Sequence, residues 1–183
     1  MQSSRLSLID WTDVALEAMA ELGTAGVNVE QLSRRLGTTK GSFYHHFANR
    51  HALLVAALAR WEEIVAADLA ASADIADPRA RLLTGSLIGV GTAADGFVDL
   101  ALAVSVDDPV VAATLVRVNR QRLEWLTTAL CDSGLDPSKA QERAVRGLSA
   151  YLGLYQLQRT LGETFDRGSL VNQITAIVDN MLR

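Results

Sequence analysis

Several residue types are scarce in this chain, and each scarcity removes a class of protein. One cysteine, Cys131, in 183 residues excludes an intrachain disulfide framework, and its plain role is that of a small buried hydrophobe. The three histidines fall at 45, 46 and 51, with none beyond. A helical bundle holding two metals needs inward Glu-x-x-His pairs, and a zinc site usually draws on cysteine partners. Neither set is present, so no metal and no cofactor is expected. Phosphate-binding glycine loops and nucleophile elbows are also missing. The sequence therefore speaks against an enzyme. No signal-like segment opens it and no apolar run approaches the ~18 residues of a spanning helix. A soluble, cytoplasmic protein with no membrane contact is predicted. Aromatics make up only 5 % of the residues although 49 % are hydrophobic, so leucine, valine and alanine carry the apolar content. That balance suits packed helices and excludes disorder.

An excess of basic charge is confined to the first part of the chain. The net charge is −4, yet residues 1–60 hold six basic against five acidic residues, and residues 61–183 hold eleven against sixteen. Within 28–51, Arg34, Arg35, Lys40 and Arg50 face only Glu30. The local field, rather than the total, governs attraction to phosphate.

What is present is concentrated in residues 28–47, NVEQLSRRLGTTKGSFYHHF. Asn28 can cap a helix and Gln31, three residues on, can complete a capping box. Val29, Leu32 and Leu36 recur at helical spacing, and Gly37 supplies the left-handed turn that ends the helix. Thr38 and Thr39 offer hydroxyls to cap a second helix from Lys40. Phe43 and Phe47, four apart, point into a core. The other side chains of this second helix are Thr39, Lys40, Ser42, Tyr44, His45 and His46, all donors or cations. Gly41 keeps one face low enough for a groove wall or phosphate to approach the backbone. Two short helices joined by a glycine-bearing turn describe a helix-turn-helix, and this second helix fits a DNA major groove. Asn28, Thr38, Thr39, Lys40, Gly41, Ser42, Tyr44, His45, His46 and Arg50 are the candidate DNA-binding residues.

Gly23, Val29, Leu32, Leu36-Gly37, Lys40-Gly41-Ser42, Tyr44, His46-Phe47, Asn49, Arg50 and Leu53-Leu54 together resemble the TetR family of bacterial one-component regulators. The resemblance runs over residues 8–60. Asn28 stands where the family usually has threonine, Phe43 where it has leucine, and the arm Gln2–Arg5 is less basic than is common. The resemblance implies a homodimer on a palindromic double-stranded operator, repression, and release by a small-molecule effector. It also implies a phosphate contact for Arg50, which would offset the conflict between that cation and the helix dipole at an Asn49-capped helix start.

Along the chain an all-α fold is predicted, an N-terminal helix-turn-helix domain (1–50), a connecting helix (51–76) and a ligand-binding and dimerisation bundle (77–183). Helix one runs from Ser7 to Leu22, with Trp11, Ala15, Ala18, Met19 and Leu22 as its apolar stripe. The three prolines each follow aspartate, at 77–78, 108–109 and 136–137, the favoured pairing of N-cap and first helical residue. Helices are therefore expected from 78 to the glycines at 89 and 91, from 109 to Cys131, and from 137 to Leu161. A shorter one, capped by Asp95, spans 97–104, with strand as the competing reading for 100–106, and a last one runs from Ser169 to Leu182. Leu87, Phe97, Leu100, Val116, Asn119, Leu123 and Tyr155 are the candidate effector-pocket residues. The Asn119 amide would meet an effector, a neighbouring helix or water. The last two helices carry more apolar surface than one small domain needs. Leu148, Tyr151, Leu152, Ile174, Ile177, Val178 and Met181 are the candidate dimer contacts. The rival readings are a helical interaction module without DNA binding and, further off, a helical-bundle enzyme.

Overall fold

The computed structural model describes residues 6–88, 90, 96–162 and 166–183. The Gln2–Arg5 arm, the Asp95 cap and the glycines at 89 and 91 lie outside them. Among the described residues every regular element is helical: α1 (Leu8–Leu22), α2 (Val29–Arg35), α3 (Lys40–His46), α4 (Arg50–Ala70), α5 (Pro78–Leu87), α6 (Gly96–Ala103), α7 (Pro109–Asp132), α8 (Pro137–Leu161) and α9 (Arg167–Leu182). The 100–106 stretch is helix and turn rather than strand.

Local chemistry sets these boundaries. Ser7 and Asp10 form a reciprocal capping box at the start of α1, Ser7 N–H to Asp10 Oδ2 at 2.6 Å and Asp10 N–H to Ser7 Oγ at 3.2 Å. Each Asp-Pro pair opens a helix: Asp77 accepts from the Ala80 N–H at 2.7 Å, Asp108 from Val110 at 2.9 Å and Asp136 from Lys139 at 3.1 Å. Asp166 caps α9 through the Ser169 N–H at 2.8 Å.

One core runs through the head and into the body. Trp11, Ala15, Met19, Leu32, Phe43 and Leu54 pack with Trp61 and Val65 of α4, and the same cluster takes in Val98 and Leu102 of α6 and Val111 and Val118 of α7. Helix α6 lies against α1 as well as α8. That packing is continuous across residue 50. On α1 the expected stripe shifts, with Leu22 exposed and Val14 and Leu16 buried. A second cluster joins α5, α7, α8 and α9, and a third gathers Leu154, Tyr155, Leu170 and Ile174. With 21 residues, α4 is about 32 Å long and reaches from the head into the bundle. Ion pairs tie it on both sides, Arg60 to Asp13 of α1 and Arg117 of α7 to Glu62.

Candidate nucleic-acid interface and effector groove

The turn between α2 and α3 closes as a Schellman motif. Gly37 has φ +61°, its N–H reaches the Arg34 carbonyl at 3.1 Å, and the Thr38 N–H reaches the Ser33 carbonyl at 2.9 Å. Asn28 caps α2 by accepting from Glu30 at 3.0 Å and Gln31 at 3.1 Å. The expected return contact from the Gln31 side chain does not form, because the Asn28 N–H already donates to the Gly26 carbonyl at 2.7 Å. Thr39 caps α3, its Oγ1 accepting from Ser42 at 3.4 Å.

Helix α3 is seated from behind by aromatics. Phe43 is fully buried, edge-on to Trp11 at 5.5 Å and stacked on Phe47 at 5.7 Å. Trp11 is thus a packing residue. The opposite face of α3 is open: Thr39, Lys40, Gly41, Tyr44 and His45 are exposed, with Thr38, Ser42 and His46 half-buried at its margins. Tyr44 is 62 % exposed. A Cβ on Gly41 would meet only Thr39 Oγ1, at 3.5 Å, so nothing among the described residues requires a glycine there.

The cations of the head are already partnered, which the charge count does not reveal. Glu30 holds two, Arg34 at 2.6 Å and Lys40 at 2.8 Å, and these keep its carboxyl below the usual range, Lys40 first. Arg35 makes a two-pronged pair with Glu21 of α1 at 2.5 and 2.9 Å. Both sets are exposed, so water or phosphate can exchange for the carboxylates at little cost. Arg50 differs. Its Nε donates to the Val27 carbonyl at 2.7 Å and its Nη2 to the Thr24 carbonyl, clipping the 23–26 turn to the start of α4. Those carbonyls are the compensation that a cation at a helix N-terminus needs. Two of the Arg50 nitrogens are therefore occupied internally.

The effector residues divide. Leu100, Val116, Asn119 and Leu123 line one open groove of about 1260 Å³ between α6, α7 and α8. Its walls are mostly apolar, and Asp99, Arg120, Glu124 and Gln141 add polar groups. The Asn119 Oδ1 has no hydrogen-bond partner among the described residues. Leu87, Phe97 and Tyr155 do not line the groove. They belong to the third core cluster, where Tyr155 is fully buried and lies edge-on to Phe97 at 5.3 Å. Helix α7 has two apolar faces, one open and one buried, which explains the split. Val116 and Leu123 serve the groove, and Val118 and Leu126 serve the core.

Two residues missed by the sequence reading meet at the groove wall. Arg122 of α7 and Asp99 of α6 form a buried ion pair at 2.7 Å, only 8 % and 4 % exposed. Burial pushes the Asp99 carboxyl up and Arg122 opposes it. The Arg122 guanidinium also lies over the Trp61 ring at 5.7 Å. A signal existed: Arg122 falls between Val118 and Leu126 at four-residue steps, which places it on the buried stripe.

The candidate dimer contacts are largely covered by the chain's own helices. Leu148, Ile174, Val178 and Met181 are buried within the chain's own core, against α5 and α7, and Tyr151, Leu152 and Ile177 are half-buried there or beside the groove. The outward face of α8 carries Val145, Ser149, Gly153 and Leu157 at four-residue steps instead, all exposed.

Comparison with known proteins agrees with this arrangement. The family model for bacterial regulatory proteins of the tetR family matches residues 12–57, which span most of α1, then α2, α3 and the first turns of α4. Among curated proteins none matches in sequence. Solved structures share the whole fold. A TetR transcriptional regulator from Legionella pneumophila is 16 % identical, with all of each chain covered and a TM-score of 0.84. A transcriptional regulator from Rhodococcus sp. Rha1 is 21 % identical, with 97 % of this chain and 96 % of that one covered and a TM-score of 0.79. The regulator AibR, solved with isovaleryl coenzyme A and operator DNA, is 19 % identical over 96 % of this chain and 95 % of its own, with a TM-score of 0.66. Among the described residues no helix is long and apolar enough to cross a membrane. Residues 12–57 thus match the tetR family model, and the described helices share the fold of solved TetR-type regulators.

Proposed function

We propose that the protein is a homodimeric repressor that grips a near-palindromic operator through α3 and lets go when a small apolar effector enters the groove between α6, α7 and α8. One observation carries the DNA reading: the open face of α3 concentrates donors around a glycine for which the chain itself has no steric need. Lys40, Tyr44, Thr39, Ser42, His45 and His46 would make the polar contacts, with Asn28 and Thr38 at the edge. In the free protein Lys40 rests on Glu30, and a phosphate would replace that carboxylate.

The groove reading rests on its size and its connection to the head. Helix α6 supplies groove residues on one face and Val98 and Leu102 to the head core on the other. Thr24 and Ser105 hydroxyls meet at 3.2 Å beside the turn that Arg50 clips. An occupant that displaces α6 would therefore tilt α1 and α3 directly, in addition to acting through α4. AibR was solved with an acyl coenzyme A and its operator together, a precedent for one fold holding both partners. A coupling of ~1–3 kcal/mol between the two sites is enough for regulation.

Dimerisation is assigned to the outward face of α8. A Cβ on Gly153 would meet nothing within 4 Å, so close approach by a second copy accounts for it better than internal packing does. Two copies would set two α3 helices about 34 Å apart, one turn of DNA.

The test is fluorescence anisotropy on the DNA upstream of the protein's own gene, over a salt series. Binding that weakens steeply with salt, and a slope reduced by about one in Lys40→Ala, is expected if Lys40 meets a phosphate. Loss of preference at a single base pair would mean base readout instead. Failure to bind at low salt would leave the interaction-module reading.

A further inference from the structure

Helix α1 ends in a way that its own residues do not resolve. The last carbonyls of a helix have no partner within it, and a cation in the final turn answers the negative end of the dipole. No basic residue stands in the last turn of α1, and Glu21, which does stand there, adds charge of the wrong sign. The Gly23 N–H donates to the Met19 carbonyl. The next two carbonyls are met from 138 and 139 residues away. Arg159, in the last turn of α8, donates from Nη2 to the Glu21 carbonyl at 3.0 Å and from Nη1 to the Ala20 carbonyl at 3.4 Å. One guanidinium from the bundle serves as the C-terminal cation that α1 lacks.

Glu21 passes this grip on. Its backbone is held by α8, while its carboxylate holds Arg35 of α2 in two hydrogen bonds at 2.5 and 2.9 Å. Arg35 is the last residue of α2, two positions before Gly37 and four before the Thr39 cap of α3. Charge-assisted hydrogen bonds and one tight turn therefore connect the end of α8 to the start of the reading helix. Arg50 of α4 and Ser105 act next door, on the 23–27 turn, whereas Arg159 acts on α1 itself. Arg159 also lies two residues beyond Leu157, on the helix whose outward face is assigned above to the partner copy.

We infer that Arg159 is a positioning residue for operator binding: it fixes the angle of the head on α8, and through that angle the separation of the two α3 helices in a dimer. The inference rests on the operator reading above and names what sets its geometry. A tilt of α1 carries α3 with it, because Trp11, Leu32 and Phe43 share one core. The Arg159 contacts are exposed, so they add little to stability. Their contribution is orientation, since a body that can settle at several angles needs only a small bias to occupy one.

The experiment compares the full-length parent with Arg159→Met, with Arg159→Lys, and with Arg79→Met as a control. Arg79 pairs with Asp179 between α5 and α9, so its loss removes the same charge elsewhere. Anisotropy is read on the DNA upstream of the protein's own gene and on the same fragment with one base pair inserted at the centre of its near-palindrome. Arg159→Met should bind the native fragment roughly five- to tenfold more weakly and discriminate between the two spacings about threefold less than the parent. Its Tm should stay within about 4 °C of the parent's. Arg159→Lys keeps the cation without the fork and should recover part of both effects, and Arg79→Met should match the parent. Hydrogen exchange without DNA should speed up in Arg159→Met at the end of α1 and in α2 and stay unchanged in α7. Weaker binding with spacing discrimination intact, or unchanged exchange at the end of α1, would overturn the proposal. A parent that ignores both fragments would refute the operator reading itself, whereas a parent that binds beside an Arg159→Met that discriminates identically refutes this inference alone.

Discussion

Replacing Gly41 by alanine separates what the fold needs from what a partner needs. Gly41 occupies the second position of α3, exposed, with helical backbone, and a methyl group there would have only Thr39 Oγ1 near it, at 3.5 Å. Contact at that distance is ordinary, so the free protein accommodates the methyl group. Alanine also loses less backbone entropy on folding, a gain of about 0.4–1 kcal/mol. For a domain of this size that corresponds to a rise in Tm of about 1–4 °C. On DNA the sign reverses. A methyl group inserted where backbone meets phosphate or groove wall overpacks the contact, at a cost of about 1–3 kcal/mol, or roughly five- to 150-fold in affinity. Thermal denaturation by circular dichroism and operator anisotropy on the same preparation give both numbers. A variant that is more stable and binds operator as well as the parent would refute the claim that this glycine exists for close approach. One that loses stability would refute the steric account of the free protein.

Other outcomes follow from the same structure. Arg50→Met should lower Tm even without DNA, because the Thr24 and Val27 carbonyls lose their shared donor; loss of about 1–3 kcal/mol is expected in denaturant unfolding. Arg122→Met should cost about 3–5 kcal/mol by stranding Asp99, and the double change with Asp99→Leu should recover much of it, as read by the same unfolding curves. Ser149→Arg on the outward face of α8 should give folded monomers in sedimentation, whereas Ile174→Arg should unfold the chain. Asp10, Asp136 and Asp166 are held below the usual carboxylate range chiefly by backbone hydrogen bonds, and Glu21 and Asp179 by arginine partners. Groups lowered in the folded state contribute stability that is complete above about pH 5 and fades as pH falls through the folded values. Unfolding midpoints should therefore drop on the acid side, and Asp10→Asn should flatten part of that drop.

The sequence was most legible where structure is decided within a few residues. Asp-Pro pairs, the Gly37 turn and the Thr39 cap are local chemistry, and the helix starts at 78, 109 and 137 follow from them. Phe43 and Phe47 read correctly because a spacing of four puts the α3 residue and the C-cap that follows the helix on the same inward side. Legibility ended where partners lie far along the chain. The carbonyls that hold Arg50 are 23 and 26 residues away, and Arg35 finds Glu21 fourteen residues back. Periodicity says that a residue is covered and not by what. Leu148, Ile174, Val178 and Met181 satisfied the pattern of an interface, yet the chain's own helices cover them first. Arg122 was passed over because charge outweighed its position on the stripe.

The interior shared by Trp11, Trp61, Val98 and Val118 has a consequence for how this protein could be taken apart. A head cut off after residue 60 would leave an apolar scar where α6 and α7 had lain, and would forfeit the side chains that keep α1 in place. Swapping heads between relatives of this kind is then a matter of matching two surfaces rather than joining two beads on a string. The unit that travels intact is the head together with the helices that roof it.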